Sequence, residues 1–280
     1  MALSIEEDVG GGDLTTLSVV PAGLGARADV VAKQDLVLSG VSIFGLLAEV
    51  MRQRANPDEE SDSLKLVAAV EEGSAVTTGT AVCTLAGTAR ALLIVERTFL
   101  NYLGRMSGVA TLTSRYVSVV AKTGSATRIL DTRKTTPGHR LLEKFAVRCG
   151  GGSNHRMGLF DAVLIKDNHI VAAGGVKNAI LTARASVLSG DSIEVECDTR
   201  AQIQEALDAG ADSVLLDNMN PRQVREAVEF ISGRARTEIS GGVTLETLSE
   251  YAQAGVDDIS IGRLTHSAPA ADFGLDLTLT

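Results

Sequence analysis

Aromatic residues are scarce in this chain of 280 residues. Trp is absent, and Phe, Tyr and Trp together make up 3% of the sequence, so a core must be built from aliphatic side chains. Aliphatic strands that alternate with Ala-rich helices are typical of parallel α/β folds. The length suits one large domain or two smaller ones.

Cysteine pairs and long apolar runs are lacking as well. The three cysteines, Cys83, Cys149 and Cys197, have no Cys-x-x-Cys spacing, so neither a disulfide framework nor a zinc site is indicated. No apolar run approaches the roughly 20 residues of a membrane span. Residues 1–8 lack the basic start and apolar run of a signal peptide. We therefore expect a cytoplasmic protein without a membrane partner.

The charge is distributed unevenly along the chain. A net charge of -9 argues against general binding to nucleic acid. Between Arg128 and Ile170, however, eight Lys or Arg face four Asp or Glu, a local net charge of +4. Three of the four histidines, His139, His155 and His169, lie in the same segment. We expect this cationic segment to gather a small polyanion.

Sequence patterns change near residue 110. Before it come short β-rich pieces at Ala26–Ala32 and Lys65–Val70, a hairpin-bearing region at Gly73–Leu85 and a polar surface loop at Asn56–Asp62. Two helices are then predicted, and they span Ala89–Met106 and Ala110–Lys122.

After that point strands and helices alternate. The predicted strands are Thr127–Asp131, Ala162–Lys166, Ser192–Glu196, Ser213–Asp217, Arg236–Ser240 and Asp258–Gly262. The predicted helices are Arg140–Arg148, Val176–Leu188, Thr199–Ala209, Pro221–Ile231 and Thr244–Ala254. Repeated units of one strand and one helix predict a βα barrel.

Each predicted barrel strand ends on a residue that could take part in binding or catalysis. These residues are Asp131, Lys166, Glu196, Asp217, Ser240 and Gly262. Polar residues also end strands simply because a loop begins there. Six around one rim, with opposite charges interleaved, favour the active-site face of a barrel.

Two loops of the cationic segment have the composition of anion sites. Residues 132–136, Thr-Arg-Lys-Thr-Thr, could grip a carboxylate or phosphate, or form a solvated basic loop. Residues 150–156, Gly-Gly-Gly-Ser-Asn-His-Arg, allow a ligand to approach the backbone, or form a flexible loop. Neither loop matches a Walker or Rossmann phosphate motif.

Acidic and glycine-bearing strand ends add a second set of candidates. Glu196 and Asp217 could hold a divalent ion, oppose positive charge on a substrate, or pair with Arg133 or Lys166. Ser240–Gly242 and Gly262–Ser267 follow the last two strands, where glycine loops of βα barrels bind phosphate.

Long segments of the chain resemble the quinolinate phosphoribosyltransferase family. The segments are DTRKTTPGHRLLEKFAVRCGGGSNHRMGLFDAVLIKDNHI, IEVECDTRAQIQEALDAGAD, VLLDNMNP, EISGGV and GRLTHSAPAADFGLDL. EEDVGGGDLTT and VERTFLNYLGRMSGVATLT match too, so the likeness covers nearly the whole chain.

The resemblance implies a fold and an activity. The fold is an α/β sandwich domain of residues 1–108, completed by 268–280, joined to an incomplete βα barrel of residues 109–267. The reaction joins quinolinate to phosphoribosyl pyrophosphate with Mg²⁺, and it yields nicotinate mononucleotide, pyrophosphate and CO₂ for NAD synthesis. The implied assembly is a homodimer in which the partner's N-terminal domain covers the barrel mouth; larger assemblies, including hexamers, are also expected in the family.

The resemblance also implies roles for individual residues. Quinolinate is expected to contact Thr132, Arg133, His155 and Arg156, with Arg97 supplied by the neighbouring subunit. A catalytic role is expected of Lys134, Lys166, Glu196 and Asp217. The two lysines would reach phosphate, pyrophosphate or a substrate carboxylate, and the two carboxylates would hold the ribose hydroxyls and Mg²⁺, the latter largely through pyrophosphate. The 5-phosphate or pyrophosphate is expected at Ser240, Gly241, Gly242, Gly262, Arg263 and Leu264. The family has a small residue where this chain has Arg263, so the role of Arg263 stays open.

Three rival functions remain at this point. ModD-like pyrophosphorylases share the fold, but we expect them to vary around the Asn-His-Arg site. Nicotinate phosphoribosyltransferases would not need cations for a second carboxylate. A basic nucleic-acid-binding module would need stacking aromatics and an extended basic surface.

Overall fold

The computed structural model describes residues 1–54, 64–187 and 192–280. In chain order its elements are α1 (Ala2–Val9), α2 (Leu14–Val19), β1 (Gly25–Ala32), β2 (Leu36–Val37), α3 (Ile43–Arg54), β3 (Lys65–Ala69), β4 (Ala75–Val76), β5 (Ala81–Thr88), α4 (Ala89–Lys122), β6 (Arg128–Leu130), α5 (Arg140–Cys149), β7 (Val163–Ile165), α6 (Asp167–Ala173), α7 (Val176–Ser186), β8 (Ile193–Cys197), α8 (Arg200–Asp208), β9 (Ser213–Asp217), α9 (Pro221–Ile231), β10 (Arg236–Ser240), α10 (Leu248–Gln253), β11 (Asp258–Ser260), α11 (Arg263–His266) and β12 (Phe273–Leu279).

The chain divides into two compact units. The N-terminal unit comprises Met1–Leu112, Arg148–Gly150 and Ala268–Thr280, and the barrel unit comprises Thr113–Val147 and Gly151–Ser267. The domain boundaries that the resemblance implies, 1–108 with 268–280 and 109–267, stay a prediction. Among the described residues, no helix combines the length and apolarity that crossing a bilayer requires.

An antiparallel sheet forms the centre of the N-terminal unit. Its strand order is β12, β1, β5, β3, and the last strand of the chain pairs along the whole of β1. Buried residues alternate along β1 at Ala26, Ala28, Val30 and Ala32, as expected for a strand with one covered face. The Phe44 and Phe99 rings meet edge to face, with centroids 5.2 Å apart.

Several predictions for this unit were wrong. The helices predicted at Ala89–Met106 and Ala110–Lys122 are one continuous helix, α4. The helix continues through Gly108. A Cβ at this position would lie 2.0 Å from the Pro269 carbonyl oxygen, so glycine permits the close approach of the two backbones. The strands within Gly73–Leu85 pair with other strands and not with each other.

The structure also contains helices that the sequence patterns did not predict in this unit, namely α1, α2 and α3. The loop predicted at Asn56–Asp62 lies outside the described residues, as does Leu188, the last residue of a predicted barrel helix.

The barrel unit confirms the predicted incomplete βα barrel. Its six parallel strands run in the order β6, β11, β10, β9, β8, β7, so the last strand pairs with the first. β6 and β7 lie at the two ends of this sheet. The strand bounds differ from the predicted ones by no more than two residues. The helix predicted at Thr244–Ala254 is shorter, since α10 spans Leu248–Gln253, and the short helices α6 and α11 were not predicted.

Charged residues bind the amino ends of three barrel strands together. Asp258, the first residue of β11, is buried and pairs with Arg128 at the start of β6, with Nε and Oδ1 2.7 Å apart. It also pairs with Arg236 at the start of β10. These ion pairs lie at the opposite end of the strands from the predicted site.

Candidate active site

A cavity of about 530 Å³ opens at the carboxyl ends of the barrel strands. Parallel strands bring their carboxyl ends to one rim, which is why side chains far apart in the sequence meet there. The lining residues are Thr132, Arg133, Lys134, His155, Arg156, Leu164, Lys166, Glu196, Leu215, Asp217, Asn218, Glu238, Ser240, Gly241 and Ser260.

Two guanidinium groups line the cavity without a carboxylate partner. Arg133 and Arg156 are each half-buried, and neither takes part in an ion pair within the described part of the chain. The Nε of Arg133 is buried and has no hydrogen-bond partner. Burial, and next the charge of Arg133, lower the pKa of Arg156. Neighbouring guanidinium groups of this kind can bind a carboxylate or phosphate in bidentate fashion.

One face of α5 holds the loop that carries Arg133. The Arg140 guanidinium donates to Thr135 Oγ1 at 3.0 Å and to the carbonyl oxygen of Arg133 at 3.3 Å. Glu143, buried and close to Arg140 on the helix, accepts from the N–H and hydroxyl of Thr136 at 3.0 and 2.7 Å. The position of Arg133 is therefore set by α5 as well as by β6.

His155 has internal partners at both ring nitrogens. Nδ1 accepts the backbone N–H of Arg156 at 2.7 Å, and Nε2 lies 3.1 Å from Glu194 Oε2 and 3.5 Å from Glu238 Oε2. This pattern assigns the ring hydrogen to Nε2. The His155, Glu194 and Glu238 ligand atoms are close enough to surround a metal ion. A metal on Nε2 would require the hydrogen on Nδ1, where it would oppose the Arg156 N–H, so we interpret the group as a hydrogen-bonded triad.

Glu194 and Glu238 place two carboxyl groups next to this imidazole. Burial, and next the charge of Glu194, raise the pKa of Glu238 to about 8, while the nearby His155 opposes the shift. Burial lowers the pKa of His155 and the two glutamates raise it, with a net increase. A second proton on the ring would occupy Nδ1 and displace the Arg156 N–H. The hydrogen bond from Arg156 therefore forms only when His155 is neutral.

Three carboxylates form a second cluster at the same rim. Ligand oxygens of Glu196, Asp198 and Asp217 lie within 4.8 Å of one another. Lys166 Nζ donates to Glu196 Oε2 at 3.1 Å. Burial, followed by the charge of Asp198, raises the pKa of Asp217. Clustered carboxylate oxygens suit Mg²⁺, which prefers such hard ligands and retains several waters or phosphate oxygens.

Comparison with known proteins shows which family the chain resembles. The family model "Quinolinate phosphoribosyl transferase, N-terminal domain" matches residues 13–107, and the model of the C-terminal domain matches residues 109–276.

The chain belongs to the quinolinate phosphoribosyltransferase family.

Two relatives cover nearly the whole chain. A probable carboxylating nicotinate-nucleotide pyrophosphorylase of Bacillus subtilis is 40% identical over 278 residues, which is 98% of this chain and 91% of that protein. The crystal structure of NadC from Streptococcus pyogenes has a TM-score of 0.89 and 37% identity, with 99% of this chain and 96% of that chain covered. Human nicotinic acid phosphoribosyltransferase, at 13% identity and a TM-score of 0.63, shares the fold alone.

Most of the site residues that the quinolinate phosphoribosyltransferase resemblance implied lie together in the cavity. They are Thr132, Arg133, Lys134, His155, Arg156, Lys166, Glu196, Asp217, Ser240 and Gly241. Gly241 has φ +94°, and a Cβ there would lie 2.1 Å from Asn218 Oδ1, so this position requires glycine.

The remaining implied residues do not line the cavity. Gly242 and Arg263 are exposed, whereas Leu264 is fully buried and packs in the core. Gly262 lies beside the cavity, because a Cβ there would be 3.0 Å from Lys134 Cδ. Arg97 is an exposed residue of α4 in the N-terminal unit, and its role across a dimer stays a prediction.

Four residues of the site were missed by sequence reasoning. Glu194 and Glu238 each precede a predicted site residue by two positions in the same strand, so the two-residue period of a strand could have placed them on the same face. Asp198 and Asn218 each lie just beyond a strand end. Lone polar residues at such places are common, and no pattern distinguished them.

Replacing Glu238 with a residue that cannot ionise should change how the free energy of unfolding depends on pH. The folded-state pKa of about 8 lies above the ordinary value of 4.5. Between these values the folded protein binds a proton that the unfolded chain does not, so wild-type stability falls as pH rises, by at most about 1.4 kcal/mol per pH unit. Glu238→Gln lacks this loss, so its melting temperature relative to wild type should increase from pH 5 to pH 8 and level off above pH 8.

Thermal melts at several pH values test this expectation, with Glu229→Gln on the exposed face of α9 as the control. Melting curves of Glu238→Gln and wild type that stay parallel across the whole pH range would contradict a retained proton on Glu238.

Proposed function

We propose that this protein transfers the phosphoribosyl group of phosphoribosyl pyrophosphate to quinolinate and releases pyrophosphate and CO₂, giving nicotinate mononucleotide for NAD synthesis. The observation that carries the proposal is the pair of unpaired guanidinium groups, Arg133 and Arg156, in the same cavity as a carboxylate cluster. Guanidinium groups that form no ion pair with a carboxylate of the described residues suit a dicarboxylate, and carboxylates at the same rim suit a ribose that becomes positively charged. The relatives' names agree with this activity.

The proposed acceptor site holds both carboxylates of quinolinate. Arg133 and Arg156 present planar guanidinium donors that match carboxylate geometry, and Lys166 adds a point charge at the edge of the cavity. Thr132 supplies a hydroxyl beside them. His155 would need to release a ring nitrogen from Arg156 or Glu194 to donate to substrate, so its direct contact with quinolinate stays a prediction.

The proposed donor site is formed mainly at the carboxyl ends of β8, β9 and β10. Lys134 and Lys166 would contact phosphate or pyrophosphate, and Glu196 and Asp217 would bind the ribose hydroxyls. Ser240–Gly242 offers backbone N–H groups at the end of β10, and both glycines have positive φ, +94° and +66°. Successive backbone N–H groups in such turns bind anions. Gly262 to Leu264 would extend this phosphate contact at the start of α11.

The chemistry proposed for this arrangement is displacement at the anomeric carbon. Pyrophosphate leaves as the quinolinate nitrogen approaches, and the carboxylates of Glu196 and Asp217 oppose the positive charge that develops on the ribose. In the resulting mononucleotide the ring nitrogen is positively charged. The neighbouring carboxylate then leaves as CO₂, its bonding pair stays on the ring carbon, and a proton takes its place. No lysine Schiff base is needed.

A divalent cation fits the carboxylate cluster. Glu196, Asp198 and Asp217 offer hard oxygen ligands, and they would hold Mg²⁺ together with pyrophosphate oxygens. When bound, Mg²⁺ neutralises charge on the leaving pyrophosphate. Asp198 enlarges the metal-binding pair expected from the resemblance, Glu196 and Asp217.

We also propose a homodimer in the cytoplasm. Each unit exposes large apolar side chains: Leu141, Leu159, Phe160 and Val171 in the barrel unit, and Leu3, Leu14 and Val19 in the N-terminal unit. Exposed apolar groups in such number indicate surfaces that another chain covers. Free Cys83, Cys149 and Cys197 suit a reducing compartment.

An assay with three acceptors tests the activity. The protein is incubated with phosphoribosyl pyrophosphate, Mg²⁺ and either quinolinate, nicotinate or nicotinamide, and nucleotide and CO₂ are measured. We expect turnover with quinolinate alone, one CO₂ per nucleotide, and loss of activity in EDTA that added Mg²⁺ restores. Arg133→Ala should lower kcat/KM for quinolinate about 100-fold or more, whereas Arg222→Ala on exposed α9 should not. Turnover of nicotinate without quinolinate turnover would contradict the proposal.

Mixing two inactive variants tests the contribution of Arg97 across the dimer. Arg97→Ala and Arg133→Ala should each be inactive, but subunit exchange creates hybrid dimers in which one of the two sites has both arginines. Random exchange should restore about one quarter of wild-type activity. A mixture of Arg133→Ala and Lys166→Ala is the matched control, because both changes lie in the barrel unit and every hybrid site keeps one lesion. No recovery in the first mixture would contradict a role for Arg97 in trans.

A further inference from the structure

A fully buried ion pair lies behind the cationic side of the cavity. Asp131 directly follows β6, Lys144 belongs to α5, and both side chains have an exposed fraction of 0%. Burying two charges costs so much solvation that an apolar pair of similar volume often gives equal or greater stability. Stability alone is therefore a weak explanation for this pair.

The polar contacts of the pair converge on a short segment of the chain. Lys144 Nζ donates to Asp131 and to the carbonyl oxygen of His155, the latter at 2.9 Å. Asp131 Oδ1 accepts the backbone N–H of His155 at 2.9 Å. The Asn154 amide donates to Asp131 Oδ2 at 2.6 Å and to the Lys144 carbonyl oxygen at 2.9 Å. Both backbone polar groups of His155 are thus bound to one ion pair.

The side chains of this segment have partners of their own: the His155 ring faces Glu194 and Glu238, and Arg156 Nη1 donates to the Ala162 carbonyl oxygen at 3.3 Å. The backbone of His155, in contrast, is bound to the ion pair. Residues 154–156 belong to no helix or strand, and they lie between β6 and β7, the two strands at the ends of the barrel sheet. A single bridge between Leu130 and Ser153 ties the segment's start to β6. Arg156 follows immediately, and its own backbone N–H is bound to the His155 ring. A shift of His155 would therefore move Arg156 in the cavity.

We propose that Asp131 and Lys144 form a positioning pair that places His155 and Arg156 for recognition of the dicarboxylate substrate. The pair itself is buried away from the cavity and does not line it. Its effect passes through the backbone of His155 to the Arg156 guanidinium. This inference rests on the proposed function, because it assigns the pair to the quinolinate side of the site.

Two substitutions remove the pair while keeping its volume. Lys144→Met removes the ammonium, and the double variant Asp131→Leu/Lys144→Met removes both charges, so no lone buried charge is left. For either variant we expect KM for quinolinate to rise by about 100-fold, the scale of a displacement of about 1 Å at a binding site. KM for phosphoribosyl pyrophosphate should stay within about twofold, since most of its proposed groups, Glu196, Asp217 and Ser240–Gly242, lie at the ends of other strands and form no hydrogen bond or ion pair with Asp131 or Lys144 in the described part of the chain.

Asn154→Ala serves as a milder variant that should fold even if removal of the pair prevents folding. It deletes the amide that joins the segment to Asp131 and Lys144. The loss of these hydrogen bonds should raise KM for quinolinate roughly 10-fold.

Asp258→Asn is the matched control. Asp258 is a buried carboxylate of the same barrel, paired with Arg128 and Arg236 at the amino ends of the strands. It should lower the melting temperature and leave both KM values unchanged. This control separates a general loss of stability from a displaced binding segment.

The measurements are steady-state KM for each substrate and equilibrium binding of quinolinate alone, with melting temperature recorded for each variant. A selective rise in KM for quinolinate supports the positioning pair. Folded variants, Asn154→Ala included, that bind quinolinate as wild type does, or that raise both KM values equally, overturn it. Failure of the wild type to bind or convert quinolinate would instead overturn the proposed function, so the two failures are distinguishable.

Discussion

The proposed site depends on two guanidinium groups that lie in a partly buried cavity and form no ion pair with the described residues. Arg133 and Arg156 repel each other, and burial makes their charge costly, as the lowered pKa of Arg156 reflects. Neither has a carboxylate partner among the residues that the structure describes. Holding two such groups in place requires a rigid frame, and α5 supplies it through Arg140, Glu143 and Lys144.

Acidic side chains near the cavity form two separate groups with different roles. Glu194 and Glu238 face the Nε2 atom of His155 and form no ion pair with Arg133 or Arg156 in the described part of the chain. Glu196, Asp198 and Asp217 lie together at the rim, where ribose and a divalent ion would bind. The barrel thus brings guanidinium groups for a dicarboxylate and carboxylates for a ribose and a divalent ion to one rim, where Lys134 and Lys166 are available to the phosphates.

Sequence patterns predicted the barrel well because most strands were short aliphatic runs with a polar end and alternated regularly with helical patterns. Regular alternation makes such units visible without tertiary information. The N-terminal unit was harder. Two helices were predicted where α4 is continuous, and Gly108, in the predicted gap, allows the Pro269 backbone to approach α4. From sequence alone, Lys144 would be expected on the exposed face of a helix. It is buried instead, because it contacts Asp131 and the segment of residues 153–156, and local sequence patterns do not encode such tertiary contacts.

Equilibrium binding of quinolinate and nicotinate, measured by calorimetry on the protein without its second substrate, tests the central claim most directly. If Arg133 and Arg156 are kept unpaired for a dicarboxylate, quinolinate should bind at least about 10-fold more tightly than nicotinate, since one charge-assisted contact contributes roughly 1.5–3 kcal/mol. The difference should shrink as salt concentration increases. Equal affinity for the two acids, unchanged by salt, would contradict the claim that these arginines form a dicarboxylate site.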